Sequence, residues 1–498
     1  MILSFTVTSV RSGTIRCGTA LGLVVLSLAG CTVGPDFEQP AAPPTAGYTR
    51  ERLRDPGGTG RGGQHFAVGR DVPGRWWALY GSRDLDYLVE ASLAANPTIE
   101  AAEAAVRIAQ QNTLAQIGTL FPQVGFGGVA SRLKTASGDL TSNLTNNAYT
   151  YNLYTPQLTV AFSPDVFGGN RRQIESLEAQ RENQRYQLEA SRVTLATNVV
   201  SAAVQEASLR GQIEATRKVI ALQEELLVLF RKQVSLGQSN GMEVAQQEAA
   251  LAQSRQLLPP LEKQLAQQRN LLTVLAGRVP ADEIRQRFTL ASLRLPKTLP
   301  VSVPADLVRQ RPDVRAAEAS LQSASAGIGV AVANRLPQFA LTANAGLNAT
   351  RLASLAVPGA QFYTLAGAVA QPIFDAGTLF HRQESAKESF AQADAQYRAT
   401  VLSALQSVAD CLRALQVDAR AVASAHDGVG AARRSLDLTR VQLQAGQTNF
   451  AALILAQQLY LQALINEVQA EATRLADTAA LFQALGGGWW NRPAEIRI

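Results

Sequence analysis

RPDVRAAE at residues 311–318 echoes NPTIEAAE at residues 96–103, with Pro, Ala-Ala and Glu in matching places. The same offset of 215 carries Phe121-Pro122-Gln123 onto Leu336-Pro337-Gln338. Further along, SPDVFGG at 163–169 aligns with QPIFDAG at 371–377, and GQSN at 237–240 with GQTN at 446–449. The landmarks recur in one order at a period far too long for a solenoid repeat, so the chain carries two copies of one structural unit.

The stretches between landmarks define that unit. The tracts 170–236 and 378–445 contain no proline, and at 1.5 Å per residue each predicts a helix of roughly 100 Å. In the second tract Val401, Val408, Leu415, Val422, Val429, Leu436 and Leu443 recur every seventh residue, with Leu405, Leu412 and Ala419 interleaved. In the first, Leu188, Leu195, Ala202 and Leu209 do the same, followed by Leu222, Leu229 and Leu236. A heptad held this long implies supercoiled partner helices, not a globular core. Shorter helical tracts run alongside, and Pro259-Pro260 should break the one at 242–276, because proline lacks the amide donor.

Four segments instead alternate with period two. Leu158, Val160 and Phe162 oppose Gln157, Thr159 and Ser163; Phe339, Leu341, Ala343 and Leu347 oppose Gln338, Thr342, Asn344 and Asn348. Val124 and Phe126, then Tyr363, Leu365 and Val369, complete the set. Such segments suit transmembrane β-strands or the one-sided strands of soluble hairpins. In lipid, four strands leave open edges, so a spanning sheet needs several chains to close one barrel: two give eight strands and three give twelve.

Only 17% of the 498 residues are charged and 6% aromatic, and the net charge of +6 forms no basic stripe, which argues against nucleic acid as a partner. Arg11 and Arg16 precede the short apolar run GTALGLVVLSLAG, the layout of a secretory signal over residues 1–30. It ends in Leu28-Ala29-Gly30-Cys31, which resembles a bacterial lipobox, with Cys31 as the acylated residue and Thr32 after it favouring the outer membrane. Cys17 leaves with the signal, so Cys411 has no partner for an intramolecular disulfide.

The mature chain resembles the TolC-like outer-membrane efflux ducts, of the NodT-type lipoprotein group. The resemblance rests on the lipobox followed by TVGPDF, on RWWALYGSRDLDYLVEASLAANP at 75–97, on RPDVRAAEASL from Arg311, on the paired strand-exit motifs and on ADTAALFQALGGGWW ending at Trp490. It implies a mainly α fold with membrane β: a homotrimer with a shared 12-stranded outer-membrane barrel and a periplasmic α-barrel of coiled-coil-like helices. The implied organisation is a lipidated N-terminal and equatorial segment at 31–81, repeat 1 at 82–277, an equatorial linker at 278–303, repeat 2 at 304–488 and a tail at 489–498. Repeat 1 holds strands at about 122–133 and 151–164, the long helix 170–236, a tip turn at 237–241 and a helix at 242–276. Repeat 2 holds strands at about 337–349 and 361–372, the long helix 378–445, a turn at 446–449 and a helix at 450–485. The implied partners are outer-membrane lipid, a periplasmic adaptor (membrane fusion protein) and an inner-membrane proton-driven pump. No cofactor, metal or catalytic residue is implied.

In such ducts the distal turns close the tunnel, with acids commonly six and nine residues after the turn glycine. Here those positions after Gly446 are Ala452 and Leu455, while the sixth after Gly237 is Glu243. The expected gate set is therefore Gly237, Asn240, Glu243, Gly446, Asn449, Phe450, Ala452 and Leu455. Closure is expected to be apolar around Phe450, Ala452 and Leu455, with Glu243, Arg433 and Arg440 as candidate interhelical ion pairs.

Two other classes compete. GQSNG spells a nucleophile elbow around Ser239, which needs a strand before the serine and a helix after it. His65, His381 and His426 lack metal-ligand spacing, and His426 continues the Leu405, Leu412, Ala419 register. A periplasmic coiled-coil adaptor would also use heptads but needs no amphipathic strands. Within transport, a type I secretion-like export duct is the alternative to an efflux duct.

Overall fold

A computed structural model describes residues 32–45, 47–51, 53–57, 63–134, 150–237 and 240–492. The signal segment, Cys31, residues 135–149, Gln238, Ser239 and the last residues of the tail lie outside the described residues. In chain order the main elements are β1 (His65–Val68), α1 (Arg83–Ala95), α2 (Pro97–Gly118), β2 (Gln123–Lys134), β3 (Thr150–Phe162), α3 (Gly169–Ser235), α4 (Gly241–Gln256) and α5 (Leu258–Leu275). There follow β4 (Thr298–Val301), α6 (Pro304–Gln310), α7 (Pro312–Ala333), β5 (Gln338–Leu347), β6 (Gln361–Ala370), α8 (Thr378–Gln444) and α9 (Phe450–Ala484). Both long helices have 67 residues, and α2 and α7 both have 22.

The chain forms two compact units. One takes the described residues up to Glu38, with Ile108–Arg181 and Ser320–Asp394. It contains an antiparallel sheet ordered β2-β3-β5-β6. Register puts Phe126 opposite Leu158, Leu158 opposite Ala345, and Ala345 opposite Tyr363. The next row on the same face joins Val124, Val160, Ala343 and Leu365. Directly paired residues share a face, so the alternation in each strand adds up to one apolar face. The other face carries Gly125, Thr159, Asn344 and Thr364 in one row. Tyr363 and Leu365 are 85% and 80% exposed, which no sheet packed on its own core would show.

The repeated strand-entry motif does the same work twice. Gln123 Nε2 donates to the carbonyls of Gly118 (2.9 Å) and Phe121, closing the end of α2. Gln338 Nε2 donates to those of Ala333 (3.1 Å) and Leu336 at the end of α7. At the strand exits Asp165 accepts the backbone N–H of Asn170 and Arg171, and Asp375 those of Gly377 and Leu379, so each carboxylate starts a long helix. Aligning Pro164 with Pro372 sets Asp165 against Ile373; the structure shifts that correspondence by two residues, to Asp375.

The second unit takes Gln39–Arg107, Glu182–Ala319 and Ala395–Ile498. The duplicated octapeptide sits here and explains itself. Asn96 Nδ2 donates to Leu275 O (2.9 Å) at the end of α5, and Arg311 donates to Ala484 O (3.0 Å) at the end of α9. Each of those helix ends is finished by a left-handed glycine, Gly277 at φ +73° and Gly486 at φ +89°, with the paired bonds of a Schellman cap. A Cβ on Gly277 would stand 2.4 Å from Ala95 O, so the glycine is required by close approach as well as by φ.

The aromatic motif at 75–80 packs on the same region: Trp76 stacks on Phe482 with centroids 5.2 Å apart, and the buried Tyr80 hydroxyl donates to Leu475 O. β1 pairs in parallel with β4, joining the N-terminal segment to the linker. Pro259 and Pro260 open α5 in its first turn, after α4 ends at Gln256.

The heptad of α3 differs from its reading in sequence. Leu188, Leu195, Ala202 and Leu209 are buried, and the buried line then runs on without a break through Thr216, Gln223 and Phe230. Leu229 and Leu236 are exposed. The register never shifts. Two of its positions are polar, and a search for leucines slides to the neighbouring line.

Candidate functional site at the turn-bearing end of the helices

Gly237 and Gly446 adopt left-handed φ of +71° and +68°, with open space around each. Each N–H bonds back three residues, Gly237 to Val234 O and Gly446 to Leu443 O, and Gln447 N–H reaches Gln442 O. Each glycine thus stops a long helix where an L-residue would be strained. The asparagines that end the two turns start the helices that follow. Asn240 and Asn449 have extended backbones at φ −108° and −103° and are N-caps. Asn240 Oδ1 accepts from Met242 and Glu243 N–H, and Asn449 Oδ1 from Ala452 N–H at 3.0 Å. Glu243 falls in the first turn of α4, where the helix dipole favours an acid.

Phe450 starts α9 from the interior of the helix packing. It is 6% exposed and meets Phe230 edge-on, with centroids 3.9 Å apart. Val219, Leu226, Leu436, Leu453 and Tyr460 surround the pair, joining α3, α8 and α9 in one apolar seam. Phe450 therefore packs within its own chain. Ala452 is half-buried, and Leu455, five residues beyond Phe450, is 57% exposed.

Of the candidate interhelical pairs, Arg440 makes one and Arg433 pairs within its own helix. Arg440 reaches Glu225 on α3 at 3.4 Å, and Arg433 lies 4.0 Å from Asp437 on its own helix. Around them Arg231–Glu248 and Arg255–Glu224, both 2.6 Å, tie α3 to α4. All these pairs are largely exposed, so each stabilises by about 0–1 kcal/mol at most. Three buried glutamines lie between the helices: Gln247 donates to Gln223 O, and Gln457 is 1% exposed.

Ser239 of GQSNG lies outside the described residues, but α3 precedes it and α4 follows it, so the strand of a nucleophile elbow is missing from its place. The Cys411 thiol is pushed up to about 11 by burial, with Asp477 and Asp410 adding to it; it stays protonated, and a thiol is a poor nucleophile. His426 is exposed and pairs with Glu467 on α9 at 2.8 Å, and that partner raises its pKa.

Between α8 and α9, burial pushes Asp418 up to about 7, reinforced by a hydrogen bond to Asp477. The folded chain then holds a proton that the unfolded chain has released across the interval from the ordinary carboxylate range to about 7. Its stabilising effect is present at the acid end of that window and lost as pH rises through 7. Melting temperature is expected to fall from pH 5.5 to 8, and Asp418→Asn to flatten that slope; an equally steep slope in the variant would refute the assignment.

The chain matches the family model described as "Outer membrane efflux protein" over residues 88–278 and 303–487. It is 28% identical over 418 residues to the pyoverdine export outer membrane protein OpmQ of Pseudomonas putida, covering 83% of this chain and 88% of that one. It is 27% identical over 485 residues to the toluene efflux pump outer membrane protein TtgC of Pseudomonas putida, covering 96% of each. Among solved structures, the outer-membrane channel OprN superposes with a TM-score of 0.81 at 26% identity, covering 92% of this chain and all of that one.

Proposed function

The chain belongs to the outer membrane efflux protein family, and on that premise we propose that three copies form one exit duct closed by a shared twelve-stranded barrel. The observation that carries this is the sheet. It has a continuous apolar face, and its outer strands β2 and β6 each pair with one neighbour among the described residues. Lipid tolerates the apolar face but not the open edges, and neighbouring copies remove them.

The duct performs no chemistry of its own. Cys31 carries the lipid anchor, residues 237–241 and 446–449 form the distal periplasmic tip, and the gate there opens on engagement with a periplasmic adaptor. An inner-membrane proton-driven pump supplies the energy. The gate seam is the Phe230–Phe450 contact inside each chain, and Ala452 and Leu455 line the constriction. Small and polar residues such as Gly125, Thr159 and Thr364 on the inner face give no pocket shaped to a single cargo.

The test compares the two sheet faces. Leu365→Arg puts a charge into lipid, at roughly 2–4 kcal/mol per chain near the midplane, and is expected to abolish outer-membrane oligomers and efflux. Thr364→Arg faces the water-filled interior and should be tolerated. Equal tolerance of both would mean a soluble sheet, and a mass other than three chains would overturn the copy number.

A further inference from the structure

The TVGPDF motif follows Cys31, and one buried side chain holds its first residues. Arg172, at the start of α3, grips them with its whole guanidinium: Nε donates to Val33 O (3.1 Å), and Nη2 to Gly34 O (3.3 Å) and to Asp36 Oδ1 (2.7 Å). Its Nη1 is held by Glu175 at 2.7 Å, and the Arg172 side chain is 6% exposed. Val33 N–H in turn donates to Phe167 O at 3.2 Å.

The backbone approach is as close as glycine permits. Gly34 is at φ +95°, and a Cβ there would stand 2.4 Å from Gly329 Cα. A Cβ on Gly329 would meet Arg172 Cγ at 2.8 Å and Val33 O at 2.9 Å; one on Gly168 would lie 2.9 Å from Thr32 Cα. Three glycines from three parts of the sequence therefore make room for one pentapeptide. All of these residues belong to the unit that holds the sheet.

The clasp stands at the foot of that sheet. Phe167 is five residues beyond the end of β3, a reach of at most roughly 17 Å. Its ring lies against Phe339 in β5 with centroids 6.4 Å apart, and Ser163 Oγ donates to Phe339 O. Cys31 is joined to Thr32 by a peptide bond, so its side chain starts within one residue of this spot.

We propose that Arg172 is the positioning residue of the lipid anchor: it clasps Thr32–Asp36 so that the acyl chains leave at the rim of β3 and β5 and enter the leaflet where those strands enter. This rests on the reading of Cys31 as the acylated residue. A clasped anchor holds the sheet's rim at the membrane surface, whereas acyl chains on a loose tail would fix only the chain's presence there.

The test uses the full-length protein isolated from outer membranes, as wild type, Arg172→Met, Arg172→Lys and Asp36→Asn. The mass of the N-terminal peptide reports acylation, and hydrogen exchange reports the Val33 amide separately from the strand amides. The expected result is an acylated peptide in all four. Val33 protection should fall by about tenfold or more in Arg172→Met, less in the other two, and strand amides should not change. An unacylated wild-type peptide would overturn the anchor reading itself. Acylated protein with unchanged Val33 protection in Arg172→Met would overturn the clasp. If Arg172→Met does not assemble, Asp36→Asn decides: its carboxylate is 90% exposed, so unchanged protection there counts equally against the clasp.

Discussion

Arg269→Met is expected to lower the stability of the solubilised protein by about 3–5 kcal/mol, the range for breaking a buried ion pair from one side. Glu206 on α3 is fully buried and receives Arg269 at 2.8 Å and Arg210 at 2.6 Å. The same Arg269 guanidinium donates to the carbonyls of Ile284 (2.8 Å) and Gln286 (3.2 Å) and pairs with Glu283. One side chain thus ties the long helix, α5 and the linker together. Lysine cannot reach a carboxylate and two carbonyls in one plane, so Arg269→Lys should recover only part of the loss. Arg269→Met leaves Glu206 with Arg210 alone, so adding Glu206→Gln should cost less than the two single losses combined. Urea midpoints read all four variants, and a loss below about 1 kcal/mol for Arg269→Met would sink the account.

Phe450→Ala is expected to cost a further about 3–5 kcal/mol, but locally, because it empties the seam where α9 starts against Phe230. Hydrogen exchange should rise at residues around Leu226, Leu436 and Leu453, and single-channel conductance in planar bilayers should increase as the closed packing loosens. Leu455→Ala separates support from lining. It is exposed, so stability should change by no more than about 0.5 kcal/mol while conductance changes. Phe450→Ala with normal exchange at the seam would show that the aromatic pair does not hold the tip. Leu455→Ala with unaltered conductance would remove Leu455 from the passage.

Phe450 shows where reading a sequence stops. An apolar residue four positions after a turn glycine, next to the positions that family gates use, reads as part of an apolar closure. Whether it faces the lumen or its own chain depends on the rotation of α9 about its axis. That rotation is set by Phe230, which lies 220 positions earlier in the chain. The slip along the α3 heptad has a related cause: Thr216 and Gln223 are polar yet fully buried, and hydrophobic pattern alone cannot assign them to a seam. That Arg440 forms an interhelical pair is readable from its place near the turn, but its partner Glu225 is chosen by packing, not by spacing.

The sequence by itself determined the duplication, the two long helices, the amphipathic strands and the helix breaks, because each is written in local chemistry. Proline lacks a donor, glycine allows left-handed φ, and period two or seven sorts side chains onto faces within one element. Tertiary structure alone decided what meets across elements. It gave Asn96 and Arg311 one shared task at two helix ends, and it joined Arg269 to the linker. It also closed Arg172 over Thr32–Asp36. Such contacts depend on distances between residues far apart in the chain, and no local periodicity encodes them.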